Sequence, residues 1–324
     1  MQAPTISELV NAIGDRQVRG SVCSQLRSSP SGQNLFAVHG SGGTTFELRR
    51  LARTMTSCNV YAFHALGLAP RFEPHRSVRE MATISLAEMR AIQPIGPYAL
   101  CGFSFGGVVA YEMALQLAQA GQDVASLIML DTSVHPRWLS YSQRLASQCS
   151  RNAEFLRKIS RLPLQAVIPY VWERLPIWRF LGRPRVGPVA ALPPIVQKVR
   201  NANLAAFKAY NPPRSPVSLH HFRACAHPFR LHYSVPFWKS RVMGTVTVHD
   251  FPIDHLGMVE SSSTKIIAQT IDEILGDHGP CPDQISAADT ERRMAFGAKV
   301  RGRVDHQAAG RPKLSGPVRT QPKP

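Results

Sequence analysis

The 324-residue chain is 44% hydrophobic and 18% charged, the balance of a globular protein with one sizeable core. No apolar run of about 18 residues is present to span a bilayer, and the first residues lack the basic and apolar stretches of a secretory signal, which predicts a cytoplasmic protein without a membrane partner. A net charge of +17 admits attraction to acidic partners, but no zinc-finger, RNA-recognition or helix-turn-helix motif accompanies it; six scattered cysteines without C-x-x-C spacing disfavour a disulfide framework or a metal site.

Residues 1–32 read as an N-terminal extension, one short helix and a Ser/Gly/Pro linker. The runs NLFAVHG (34–40) and NVYAFHA (59–65) are strand-like, and FELRRLARTMTS between them carries Leu48, Leu51 and Met55 at helical spacing, giving a βαβ unit. Ser77-Val78-Arg79-Glu80 is a capping box that opens a helix with Met81, Ile84, Met89 and Ile92 inward; Pro94 and Pro97 end it. Tyr98 to Cys101 form a buried strand, followed by a helix with Val108, Tyr111, Met113, Leu115 and Leu117 on its apolar surface, and VASLIMLDT (124–132) is the next strand. Residues 136–215 interrupt this rhythm with helical patches, prolines and aromatics, an insertion placed where a lid would sit. VSLHHFRA (217–224) and GTVTVHDF (244–251) resume strand character, and STKIIAQTIDEILG closes the fold with a helix stopped at Gly276. The alternation predicts an α/β fold over 33–277, with a mainly parallel sheet and helices on both faces. Residues 278–324, rich in Pro, Gly, Arg and Lys, are expected to form a disordered basic tail.

Chemistry enters at Gly102-Phe103-Ser104-Phe105-Gly106. The pattern G-x-S-x-G at a strand-to-helix joint is a nucleophile elbow, in which a strained turn aims the serine hydroxyl outward and glycines remove clashing Cβ atoms; alone, it also fits a glycine-rich turn with an inert serine. A base must follow later in the chain. His255, in DFPIDHLGM between the last strand and the closing helix, occupies the loop that the order Ser, acid, His requires. His39, His64, His220, His221 and His249 lie in or beside strands and read as structural. The acid is found by elimination: Arg174 through His249 contains no Asp or Glu, and Asp250 and Asp254 are so near His255 in the chain that they would have to fold back onto it. Asp131 remains, at the carboxyl end of a parallel strand, where open α/β sheets build their sites.

The segments LFAVHGSGG, GPYALCGFSFGGVVAYEMALQLAQAGQDVASLIMLDT and DFPIDHLGMVE together resemble the thioesterase domains of non-ribosomal peptide and polyketide synthases, a branch of the α/β-hydrolase fold. The resemblance implies an acid directly after the strand that follows the elbow helix, which is again Asp131. It implies acyl transfer from a thiol to Ser104, with backbone N–H groups of Phe105 and Ser41 holding the oxyanion. It also implies an acyl or peptidyl carrier protein as partner, with the substrate on its phosphopantetheine arm and no cofactor of the enzyme's own. The segment 136–200 carries twelve Lys/Arg against Glu154 and Glu173, and interleaves them with aromatics. Trp172 and Trp178 are therefore candidates to line an acyl passage, and Arg174, Arg179 and Arg183 to steer the carrier, although a solvated basic face would give the same composition. A carboxylesterase or lipase would use the same three residues, and a basic nucleic-acid- or carrier-binding protein would use the charge without the chemistry.

Overall fold

In the computed structural model, the structure describes residues 21–30, 33–69, 72–163, 165–168, 192–226 and 231–276. Seven strands, β1 (Cys23–Arg27), β2 (Asn34–Val38), β3 (Asn59–Phe63), β4 (Tyr98–Phe103), β5 (Val124–Leu130), β6 (Leu219–Ala224) and β7 (Val246–Phe251), form one sheet in the order β1-β3-β2-β4-β5-β6-β7. All neighbours run parallel except β1 against β3. The helices are α1 (Leu48–Thr54), α2 (Val78–Ile92), α3 (Phe105–Gln119), α4 (Tyr141–Ile159), α5 (Pro194–Ala209), α6 (Leu231–Arg241), the short α7 (Gly257–Glu260) and α8 (Thr264–Gly276).

The inner strands are apolar on consecutive positions because both faces are covered. Phe36 and Val38 of β2 enter one layer with Met81 and Met89 of α2 and Val108 and Tyr111 of α3. Leu35 and Ala37, pointing the other way, pack with Leu51 of α1 and Ile267 and Ile271 of α8. All six residues of β4, the strand that leads into Ser104, are buried. Helices on both faces of a mainly parallel sheet are what the alternation predicts.

Three local features differ from the sequence reading. The stretch read as an extension contains β1, paired antiparallel with β3 and held by Glu88 of α2, whose carboxylate accepts the Val22 N–H at 2.6 Å. Its CSQLR sequence is only half-buried, which removes the hydrophobic run that would announce a strand. At the start of α2 the Ser77 hydroxyl accepts the Glu80 N–H, as a capping box requires, but the Glu80 carboxylate reaches the N–H of Arg76 rather than of Ser77. Between β6 and β7 lies α6, interrupted by Pro236 yet anchored by the fully buried Trp238.

The connection from β5 to β6 contains a 3-10 turn (Pro136–Trp138), α4 and α5. Its two ends are tied together: Trp138 Nε1 donates to the Tyr210 carbonyl at 2.6 Å, and the Tyr210 hydroxyl donates to buried Glu112 of α3 at 2.6 Å. Trp172, Arg174, Trp178, Arg179 and Arg183 lie outside the described residues, as do 1–20 and the expected tail at 278–324.

Candidate active site

The site is assembled at the carboxyl ends of β2, β4, β5 and β7. β4 gives way to α3 through Ser104, whose φ of 55° and ψ of −115° lie where an L-residue is strained. Its N–H donates to the Leu130 carbonyl at 2.8 Å, tying the elbow to the end of β5. Close packing dictates the flanking glycines: a Cβ at Gly102 would run into the backbone of Gly106, and one at Gly106 into the carbonyls of Val38 and His39. The elbow is thus wedged between its own helix and the strand next door.

Asp131 is the first residue after β5. It also sits at positive φ, 45°, which a short polar side chain tolerates. Its N–H donates to Phe222 of β6, and its Oδ1 accepts the N–H of Ala224, the last residue of β6, at 3.2 Å. That leaves Oδ2 for His255 Nδ1, 2.6 Å away, while His255 Nε2 lies 3.0 Å from Ser104 Oγ. The Phe103 ring stacks on the imidazole at 4.8 Å between centroids, fixing its plane. Residues 104, 131 and 255 therefore form a continuous chain of hydrogen bonds from hydroxyl to carboxylate, with Asp131 only 8% exposed. The Ser104 hydroxyl is the outer end of this chain, within hydrogen-bond reach of Nε2.

The nearby carboxylates are engaged elsewhere. Asp250 makes a two-point pair with Arg223 of β6, both contacts at 2.6 Å, and this guanidinium holds its carboxyl below the usual carboxylate range. Asp254 accepts the N–H of Gly257, the first residue of α7, at 2.8 Å. Elimination by chain position and the geometry thus agree on which acid reaches His255.

The two backbone donors named for the oxyanion sit on adjoining strand ends, since Val38 pairs with Gly102 in register. Phe105 is the first residue of α3, where the helix leaves N–H groups without an internal acceptor. Ser41 is the second residue of a turn closed by the Gly43 N–H on the Gly40 carbonyl at 3.1 Å. His39 belongs to this loop as a support: its Nδ1 lies 2.6 Å from the Gly40 carbonyl, and burial lowers its pKa to about 4, so it is neutral near pH 7. His221 is likewise buried and lowered to about 4, chiefly by desolvation, and His220 and His249 face each other at 3.2 Å on neighbouring strands. Among the described residues no group of three His, Cys, Asp or Glu could hold a metal ion, and no helix is long and apolar enough to cross a membrane.

Comparison with known proteins relates part of the chain to a family. Residues 33–166 match the family model described as thioesterase domain. A dimodular nonribosomal peptide synthase of Bacillus subtilis (strain 168) is 35% identical over 133 residues, 40% of this chain and 6% of that protein. The non-reducing polyketide synthase PKS16 of Cladonia grayi is 36% identical over 112 residues, 35% of this chain and 5% of that one. The chain thus spans only a small fraction of the curated relatives it matches. Among solved structures, the NocB thioesterase domain, in covalent complex with a fluorophosphonate nocardicin G analog, has a TM-score of 0.55 at 22% identity, covering 79% of this chain and 100% of that one, a likeness of fold. The family-model match covers the elbow and β5, and the fold likeness extends across most of the chain: residues 33–166 match a thioesterase domain, and the chain is similar in part to non-ribosomal peptide and polyketide synthases.

Proposed function

We propose that this domain releases an acyl or peptidyl chain from the phosphopantetheine thioester of a carrier protein, through an acyl-enzyme on Ser104. The observation that carries the proposal is the hydrogen-bonded line Ser104–His255–Asp131 at a strained elbow, with spacings of 3.0 and 2.6 Å. Ser104 Oγ attacks the thioester carbonyl carbon while His255 Nε2 takes its proton, and Asp131 stabilises the imidazolium. The resulting oxyanion is held by the N–H groups of Phe105 and Ser41. Collapse breaks the C–S bond, and the leaving thiolate takes the proton from His255, leaving an ester on Ser104. Water, or an amine or hydroxyl of the chain itself, then attacks the ester carbonyl and gives its proton to His255, which returns it to the departing Ser104 oxygen. Hydrolysis and cyclisation differ only in that second nucleophile.

The carrier reading is supported by the kind of relative this chain resembles and by the basic 136–200 segment. No cofactor of the enzyme's own enters the chemistry; the pantetheine arm belongs to the substrate. A cytoplasmic location suits it, and Cys58, Cys101, Cys149 and Cys225 are free thiols. Intact-mass measurement after incubation with acyl thioesters tests the proposal. The expected result is a mass increase of one acyl group, absent in Ser104→Ala, with a fluorophosphonate adding a single label that the same substitution abolishes. Undiminished labelling of Ser104→Ala would refute it, and acylation by oxygen esters alone would redirect it to ester hydrolysis.

A further inference from the structure

We propose that Asn203, from the insertion between β5 and β6, is a positioning residue for the oxyanion loop; the inference rests on the acyl-transfer reading above. Two peptide planes meet at Ser41. The Gly40–Ser41 plane is fixed by its carbonyl, which accepts the Gly43 N–H at 3.1 Å and faces His39 Nδ1 at 2.6 Å. In a trans peptide the N–H points opposite to the C=O, so the Ser41 N–H is aimed away from the buried imidazole. The Ser41–Gly42 plane is fixed from elsewhere: Asn203 Nδ2 donates to the Ser41 carbonyl at 3.0 Å, across 162 positions of sequence. With both planes held, φ and ψ of Ser41 are held, and with them the direction of the proposed donor.

Asn203 can do this because α5 lies flush on the loop. Gly43, at a φ of +84°, leaves no room for a Cβ, which would come within 2.5 Å of Val199 Cγ1 and 2.8 Å of Ala65 Cβ. Val196 and Val199 of α5 pack with Ala65 and Leu68, and Lys198 bridges to Glu73 at 2.7 Å. Asn203 itself is 1% exposed, and the carbonyl that its amide serves belongs to this loop and to no helix or strand. The catalytic geometry of the sheet edge is thereby made to depend on where one helix of the insertion sits. A displacement of about 1 Å in a catalytic group can cost up to about a hundredfold in rate.

The test replaces the amide by a side chain of similar size without a donor, Asn203→Leu, with Asn203→Ser as a second variant should the first fail to fold. Active serines are counted by fluorophosphonate titration, so kcat is per competent site. The expected result is a fall in kcat of about 10- to 100-fold with KM within about threefold, below or at the cost of deleting an oxyanion donor outright. Affinity for a trifluoromethyl ketone analogue, whose adduct carries the oxyanion, should fall by the same factor. A purely structural amide would lower Tm and leave kcat and analogue affinity alone, and that outcome overturns the positioning role. A wild type that neither labels at Ser104 nor turns over thioesters would overturn the acyl-transfer reading first, and this inference with it.

Discussion

Replacing Asp131 by Asn isolates the carboxylate from everything else at the site. The Asp131 carboxylate accepts from His255 Nδ1–H at Oδ2 and from the Ala224 N–H at Oδ1. An Asn offers one acceptor and one donor in the same space. If its oxygen faces His255, its NH2 meets the Ala224 N–H, donor against donor. If its oxygen faces Ala224, its NH2 donates to Nδ1, and the imidazole proton is driven to Nε2. The second arrangement keeps every hydrogen bond of the resting protein and is the one expected. Asn also tolerates the positive φ of 45° at this position. The fold is therefore kept, but Nε2–H now faces Ser104 and cannot accept its proton. A loss of about 10⁴ in kcat/KM follows for a triad carboxylate, or about 5 kcal/mol of transition-state stabilisation at about 1.4 kcal/mol per decade. The assay is steady-state turnover of an acyl thioester, with Tm as the fold control. Asp250→Asn and Asp254→Asn should stay within about tenfold of wild type, since their carboxylates serve Arg223 and Gly257. A mild Asp131→Asn, or a severe Asp250→Asn, would refute the reasoning.

Gly106→Ala forces a Cβ against the carbonyls of Val38 and His39 and should destabilise at the upper end of the ~1–3 kcal/mol typical of overpacking; an unchanged Tm would show that the elbow can yield. Stability should also fall with acid between pH 6.5 and about 4. His39 and His221 are buried neutral with pKa values lowered to about 4, so in that window the unfolded chain binds protons that the folded one refuses. Each contributes on the order of 3 kcal/mol that is present above pH 6.5 and lost by pH 4, and a flat Tm profile over this range would contradict it. For the carrier, kcat/KM with an acyl-carrier-protein substrate should drop steeply with ionic strength while a short neutral acyl thiol shows little dependence, because steering is screened over about 10 Å at 0.1 M salt. Neutralising Arg174, Arg179 and Arg183 together should flatten the first profile, and equal profiles for the two substrates at the outset would remove the basic insertion from carrier recruitment.

Period and chain order carry the strands from β2 to β7, the elbow at Ser104 and the loop of His255, because buried strands must be apolar and an elbow must have its glycines. The absence of carboxylates from Arg174 to His249 points in the sequence to Asp131, the carboxylate that lies 2.6 Å from His255. Other features are invisible to local pattern because their cause is a partner far away in sequence. CSQLR is a strand only because β3 offers it an edge. Asp250, one residue from the end of β7, is withdrawn from His255 by Arg223, on a strand whose pairing no periodicity specifies. The stacking of Phe103 on His255 and the reach of Asn203 to Ser41 span 152 and 162 positions. A sequence records which residues are able to bury or to react; which of them meet is decided when the sheet assembles and the insertion packs over the loops at the carboxyl ends of its strands.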